Sequence, residues 1–165
     1  MKTKRVIGLV AVLLLCAPLA ELGATTDLKD FRLQRIDDPL RVEFQGAAGN
    51  LSTESIRGAI AAAAGQLQWK IDKESAERLE LATEIRGKHK ARIELQYSRA
   101  GYVIRYLDSY NLLYDEKALT VKGDPARVIH RTYNARIRDL ALRINNALGV
   151  STRISVSSDP LRASQ

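Results

Sequence analysis

Residues 91–115 read ARIELQYSRAGYVIRYLDSYNLLYD, and the periodicity of this stretch decides the fold. Ala91, Ile93, Leu95 and Tyr97 alternate with Arg92, Glu94 and Gln96, the period of a strand with one dry and one wet face. Ser98-Arg99-Ala100-Gly101 interrupts the run as a hairpin turn, and Tyr102, Ile104 and Tyr106 resume it. Asp108-Ser109-Tyr110-Asn111 closes the second strand with a polar, aromatic exit that reaches Tyr114.

Working outward, Leu79, Leu81, Thr83 and Ile85 share one face against Arg78, Glu80, Ala82 and Glu84, with Arg86-Gly87-Lys88 as the turn that follows. Three alternating runs joined by short turns predict an antiparallel meander. Trp69 and Ile71 open a strand before it, the single Trp serving as core or hinge packing. Leu40, Val42 and Phe44 alternate with Arg41 and Glu43 as a first strand.

Two helices flank the meander. Ser52 caps the first, Glu54 suits its positive end, and Leu51 with Ile56 forms a staple. Ile56, Ala59, Ile60, Ala63 and Leu67 recur at helical spacing, and Ala61 to Ala64 keep the helix slim. Lys117 to Asp124 is polar, and Gly123-Asp124-Pro125 is a turn. Tyr133, Ile137, Leu140, Ala141, Ile144 and Leu148 then mark a long helix ended by Gly149. The expected class is α+β: a two-layer sandwich with an antiparallel sheet of about four strands, two helices on one face, and the order β-α-β-β-β-α.

The chain opens as a secretory leader. Met1 to Arg5 carries cations, Val6 to Ala17 is apolar, and small residues follow. That run is shorter than the roughly 20 residues a spanning helix needs. Cleavage is expected after Ala24, with Ala20 the second choice. The division is then a signal peptide at 1–24, an N-terminal linker at 25–39, the α+β domain at 40–149, and a tail at 150–165 in which Val150 to Val156 can add a short edge strand. Cys16 is the single cysteine. Lipidation there is the alternative, giving a membrane-anchored protein, although Leu15 stands where a small residue is preferred.

With 165 residues, 45% of them hydrophobic, the chain can bury a core without staples. Its formal charge of +7 drops to +5 once residues 1–24 take away three cations and one carboxylate, favouring anionic partners. Export, and the lack of aromatics interleaved with Lys/Arg on the wet face, argue against nucleic acid.

Two polar clusters interrupt the apolar pattern. Asp108, Ser109, Asn111 and Tyr114 end the meander; His130, Tyr133 and Asn134 begin the last helix. A helix folded back over the sheet brings them to one end. Asp108, His130 and Ser109 are the residue types of a hydrolase triad, but no nucleophile-elbow glycines surround Ser109. Satisfaction of turn and cap backbone groups accounts for the same residues. Two histidines, His89 and His130, are too few for a zinc site, and Gly87 and Gly101 lack a phosphate-loop context. No cofactor or metal is expected.

Trp69 after an alanine-rich helix, YVIRYLDSYNLLYD and IHRTYNARIRDL together resemble a family of small exported proteins and lipoproteins of Gram-negative bacteria. The likeness covers about residues 40 to 148, through D-S-x-N-L-x-Y and I-H-x-x-Y-N stretches. Leu15-Cys16 departs from the lipidation pattern of many members. The resemblance implies a signal followed by strand–helix–meander–helix, and that Asp108, Ser109, Asn111, Tyr114, His130, Tyr133 and Asn134 form one shared feature. The resulting expectation is a non-enzymatic periplasmic binding or interaction domain serving the cell envelope. Its binding residues are those seven, and Arg86, Lys88 and Lys90 bias it toward an anionic ligand or envelope protein. The alternative is a small periplasmic hydrolase using Ser109 and His130.

Overall fold

A computed structural model describes residues 32–46, 50–119 and 123–156. The expected leader, Cys16, the first part of the linker and the end of the tail lie outside these residues. Among the described residues the chain runs β1 (Leu33–Arg35), β2 (Leu40–Phe44), α1 (Thr53–Gln66), β3 (Trp69–Ser75), β4 (Arg78–Ile85), β5 (His89–Ser98), β6 (Gly101–Tyr110), β7 (Asp115–Leu119), β8 (Pro125–His130), α2 (Arg131–Leu148) and β9 (Thr152–Val156). The fold is α+β. The sheet is larger than the four strands expected: six antiparallel strands in the order β3-β4-β5-β6-β2-β9, beside a second sheet ordered β1-β8-β7.

The meander β4-β5-β6 pairs through Leu81↔Ile93 and Leu95↔Ile104, so each dry row of side chains crosses the sheet on one face. Ile56, Ile60, Ala63 and Ala64 of α1 and Tyr133, Ile137, Leu140, Ala141 and Ile144 of α2 close over that face in a single core. Ser52 Oγ accepts the Ser55 N–H, the cap its position predicts, and Gly149 ends α2 in a left-handed conformation. Tyr102 ties sheet to helix, its hydroxyl donating to Asn145 Oδ1 at 2.8 Å.

Two segments differ from expectation. In the stretch 117–124, read as a polar connection, residues 117–119 belong to β7, which pairs with β8, and Ala118, Ala126 and Val128 make a small core with Leu33. β7 reads DEKAL with only Ala118 buried, and β8 begins with Pro125, so neither shows a strand period. Residues 33–38, read as linker, form β1 and a clamp onto α2. The Asp37 N–H donates to Asn134 Oδ1 (3.0 Å), Asn134 Nδ2 donates to the Arg35 carbonyl (2.7 Å), and Arg138 pairs with Asp37. The Asp38–Pro39 peptide is cis.

Candidate functional site

The seven residues singled out in the sequence gather at one end of the domain, where the exit of β6 meets the start of α2; the His130 N–H donates to the Leu112 carbonyl at 2.8 Å. They do not converge on one pocket. Arg92 opposes Asp108, yet Ile93 opposes Tyr106, so Leu107 is an extra residue in β6. Beyond this bulge Asp108 faces the open side and Ser109, opposite Ala91, faces the helix side.

Asp108 pairs with Arg92 at 2.7 Å, and Arg92 also reaches Glu80 (2.9 Å) and Asp72 (3.6 Å). The charge of Asp108 is the largest cause holding the Arg92 guanidinium above its ordinary range. Ser109 Oγ instead shares a 2.9 Å hydrogen bond with the Tyr106 hydroxyl. Asp108 is held by Arg92, Ser109 Oγ by the Tyr106 hydroxyl and His130 Nδ1 by the Thr132 N–H, so Asp108, His130 and Ser109 do not compose a triad.

His130 Nδ1 accepts the Thr132 N–H and caps α2, and its ring stacks on His89 with centroids 6.0 Å apart. His89 Nδ1 donates to the Asn111 carbonyl, and Asn111 Nδ2 donates to the Lys88 carbonyl at 3.2 Å, so Asn111 buttresses the β4–β5 turn. Asn134, 3% exposed, is consumed by the clamp on residues 35–37. Tyr133, fully buried, lies edge-on to Tyr106 at 5.6 Å, and burial drives its phenol well above the ordinary tyrosine range. Tyr114 stacks on Tyr106 at 4.5 Å, and its hydroxyl accepts from Arg127 Nε at 3.2 Å. Arg127 in turn pairs with Asp38, whose other oxygen accepts the Tyr106 N–H at 2.7 Å.

Sequence reading missed Asp38, Tyr106 and Arg127 as one network. Asp37-Asp38-Pro39 reads as a plain turn, and the available signal was Arg127 inside an otherwise apolar run. It also missed the open cleft beside Asp108. That cleft, about 860 Å³, is lined by Trp69, Lys70, Lys90, Arg92, Asp108 and Tyr110, among others. Tyr110 is 69% exposed there. Lys70 and Lys90 make no ion pair among the described residues, whereas Arg92 is held by three carboxylates. Lys90 lies opposite Tyr110 in the β5–β6 register, two residues beyond the Arg86-Gly87-Lys88 turn.

Among the described residues no group of three or more His, Cys, Asp or Glu could hold a metal ion, and no helix is long and apolar enough to cross a membrane. No protein-family model, no curated protein and no solved structure matches the chain.

Proposed function

We propose that the protein is an exported, non-enzymatic binding domain of the cell envelope whose recognition site is the cleft between β3, β4, β5 and the end of β6, and whose ligand carries a phosphate. The observation that carries this reading is the exposed Tyr110 ring in one cleft with the unpaired ammonium groups of Lys70 and Lys90. Two such cations are point charges suited to a phosphate, and an exposed phenol adds a flat surface for a sugar or glycerol portion. Arg92 contributes mainly by holding Asp108 away from the ligand, because its own charge is already matched. Of the seven residues first expected to bind, Asp108 and Ser109 line the cleft; Tyr133 and Asn134 serve the core, Tyr114 stacks on Tyr106, and Asn111 and His130 brace the turn and cap beside it.

Trp69 lines the cleft and is the only Trp of the chain, so its fluorescence reports occupancy. The test is titration with phosphatidylglycerol vesicles and, separately, with soluble glycerol phosphate. Saturation that shifts Trp69 emission and weakens at least tenfold in the Lys70→Ala/Lys90→Ala double variant supports the site. Response to vesicles alone assigns a lipid headgroup; response to both assigns a free phosphate ligand. Equal binding by the double variant, or no binding of either probe, overturns it.

A further inference from the structure

The two edges of the six-stranded sheet are built differently. β3 ends one edge with Lys70, Asp72, Lys73 and Glu74, and its register slips between Ile71 and Lys73. Charge and a bulge are the devices that stop an edge from recruiting another strand. β9 ends the other edge with Thr152-Arg153-Ile154-Ser155-Val156, in unbroken register with β2 and with a single charge.

The direction of the free backbone groups of β9 follows from its neighbours. The Phe44 N–H donates to the Ala100 carbonyl, and the Gln45 N–H donates to the Ser151 carbonyl. Even-numbered residues of β2 therefore turn toward β6 and odd-numbered ones toward β9. With Arg41 opposite Ser155 and Glu43 opposite Arg153, the odd residues of β9 bond to β2. The N–H and C=O groups of Thr152, Ile154 and Val156 point outward from the sheet. Ile154 and Val156 lie on the helix-covered face yet are 51% and 39% exposed. Asn145 Nδ2 binds Thr152 Oγ1, and Leu142, three residues earlier on α2, is 57% exposed. Among the described residues, backbone and apolar surface are thus both uncovered at the same edge.

We infer that β9 is the contact of a two-fold dimer with a second copy of this chain. Antiparallel pairing centred on Ile154 sets Thr152 against Val156 of the other copy, and Ile154 against its own equivalent. In this register every outward N–H and C=O of the strand meets a partner, while Arg153 faces Ser155 of the other copy and no like charges are opposed. A shift by one residue would set an inward-bonded residue opposite an outward one and leave backbone groups unmatched. This contact is separate from the Tyr110 cleft, which lies toward the β3 side of the sheet.

The test combines mass and register. Sedimentation of the full chain over a concentration series is expected to show a reversible monomer–dimer equilibrium, with Ile154→Lys monomeric and equally folded by circular dichroism. In a Cys16→Ser background, Arg153→Cys and Ser155→Cys are expected to form a disulfide-linked dimer chiefly when mixed, since the two positions oppose each other across the axis. A monomer throughout the series overturns the inference, as does a dimer that survives Ile154→Lys. Cross-linking no greater in the mixture than in either variant alone overturns the register.

Discussion

Tyr106 and Ser109 share a 2.9 Å hydrogen bond along a single strand, although side chains three apart in a regular strand point to opposite faces. Leu107, the extra residue, makes this contact by shifting the alternation of β6 by one. Everything after it takes its face from that shift: Asp108 outward to Arg92, Ser109 inward, and Tyr110 into the cleft.

Deletion of Leu107 is therefore expected to be tolerated nearly as well as its substitution. The shortened strand alternates without its extra residue: Asp108 follows Tyr106 directly and still faces outward opposite Arg92, and Ser109 still faces inward opposite Ala91. Leu107→Ala, which removes a half-exposed side chain and keeps the count, is expected to cost less than about 1 kcal/mol. Urea denaturation of both variants checks this; a midpoint for the deletion variant far below that of Leu107→Ala would refute the reading of Leu107 as the extra residue.

Asp38 and Arg127 form the one ion pair that braces the tyrosine stack, with side-chain exposures of 9% and 25%. Truncating Arg127 to Ala leaves the Asp38 carboxylate enclosed and the Tyr114 hydroxyl without its donor, an expected loss of about 2–4 kcal/mol. Asp38→Asn in the same background is expected to restore part of it, because the uncompensated charge is removed. Urea midpoints of the four-member cycle measure the coupling. It is expected to persist at high salt, unlike the exposed Arg57–Glu74 pair.

Much of this was legible from residue pattern, and the illegible part has physical causes. The core strands announce themselves because one face is dry, as at Leu79, Leu81, Ile93 and Leu95. β3 after Trp69 is exposed throughout, and β7 buries one residue, so neither strand has a hydrophobic period to read. The polar end was located correctly as a meeting of β6 with α2, but polarity does not distinguish a ligand contact from a backbone clamp. Asn134 makes the point: its two bonds go to residues 35 and 37, nearly 100 positions away. The bulge at Leu107 decides which of Asp108 and Ser109 turns outward, and no residue type encodes it.

Alkaline titration should divide the six tyrosines. Burial raises the phenols of Tyr102 and Tyr133 above the ordinary value of about 10. In the unfolded chain both release their protons near that value, while the folded chain retains them. The unfolded state then binds fewer protons, so stability is full below about pH 10 and falls as pH rises through the folded values. Ultraviolet difference absorbance is expected to show these two phenols ionising only with unfolding, and Tyr102→Phe is expected to lessen the alkaline loss. Full ionisation with native circular dichroism would contradict their burial.

At Gly101 the meander lies so close to the β2 backbone that no side chain fits there. It begins β6 at φ +149°, a conformation L side chains rarely adopt, and a Cβ on it would lie 2.0 Å from the Val42 carbonyl oxygen. The obstacle is backbone, held in place because β2 is paired on both sides, with β6 and β9. A flexible neighbour could turn away; this one can move only if β2 shifts within the sheet, and Val42 and Leu40 sit in the core. Gly101→Ala is thus expected to cost more than about 3 kcal/mol, combining overpacking with backbone strain. Gly87→Ala has the turn's positive φ but a single contact at 3.8 Å, to the Glu84 side chain, so it is expected to lose only about 1 kcal/mol. Thermal and urea unfolding of the pair checks this ordering, and the reverse ordering would mean that β2 does not lie against the start of β6.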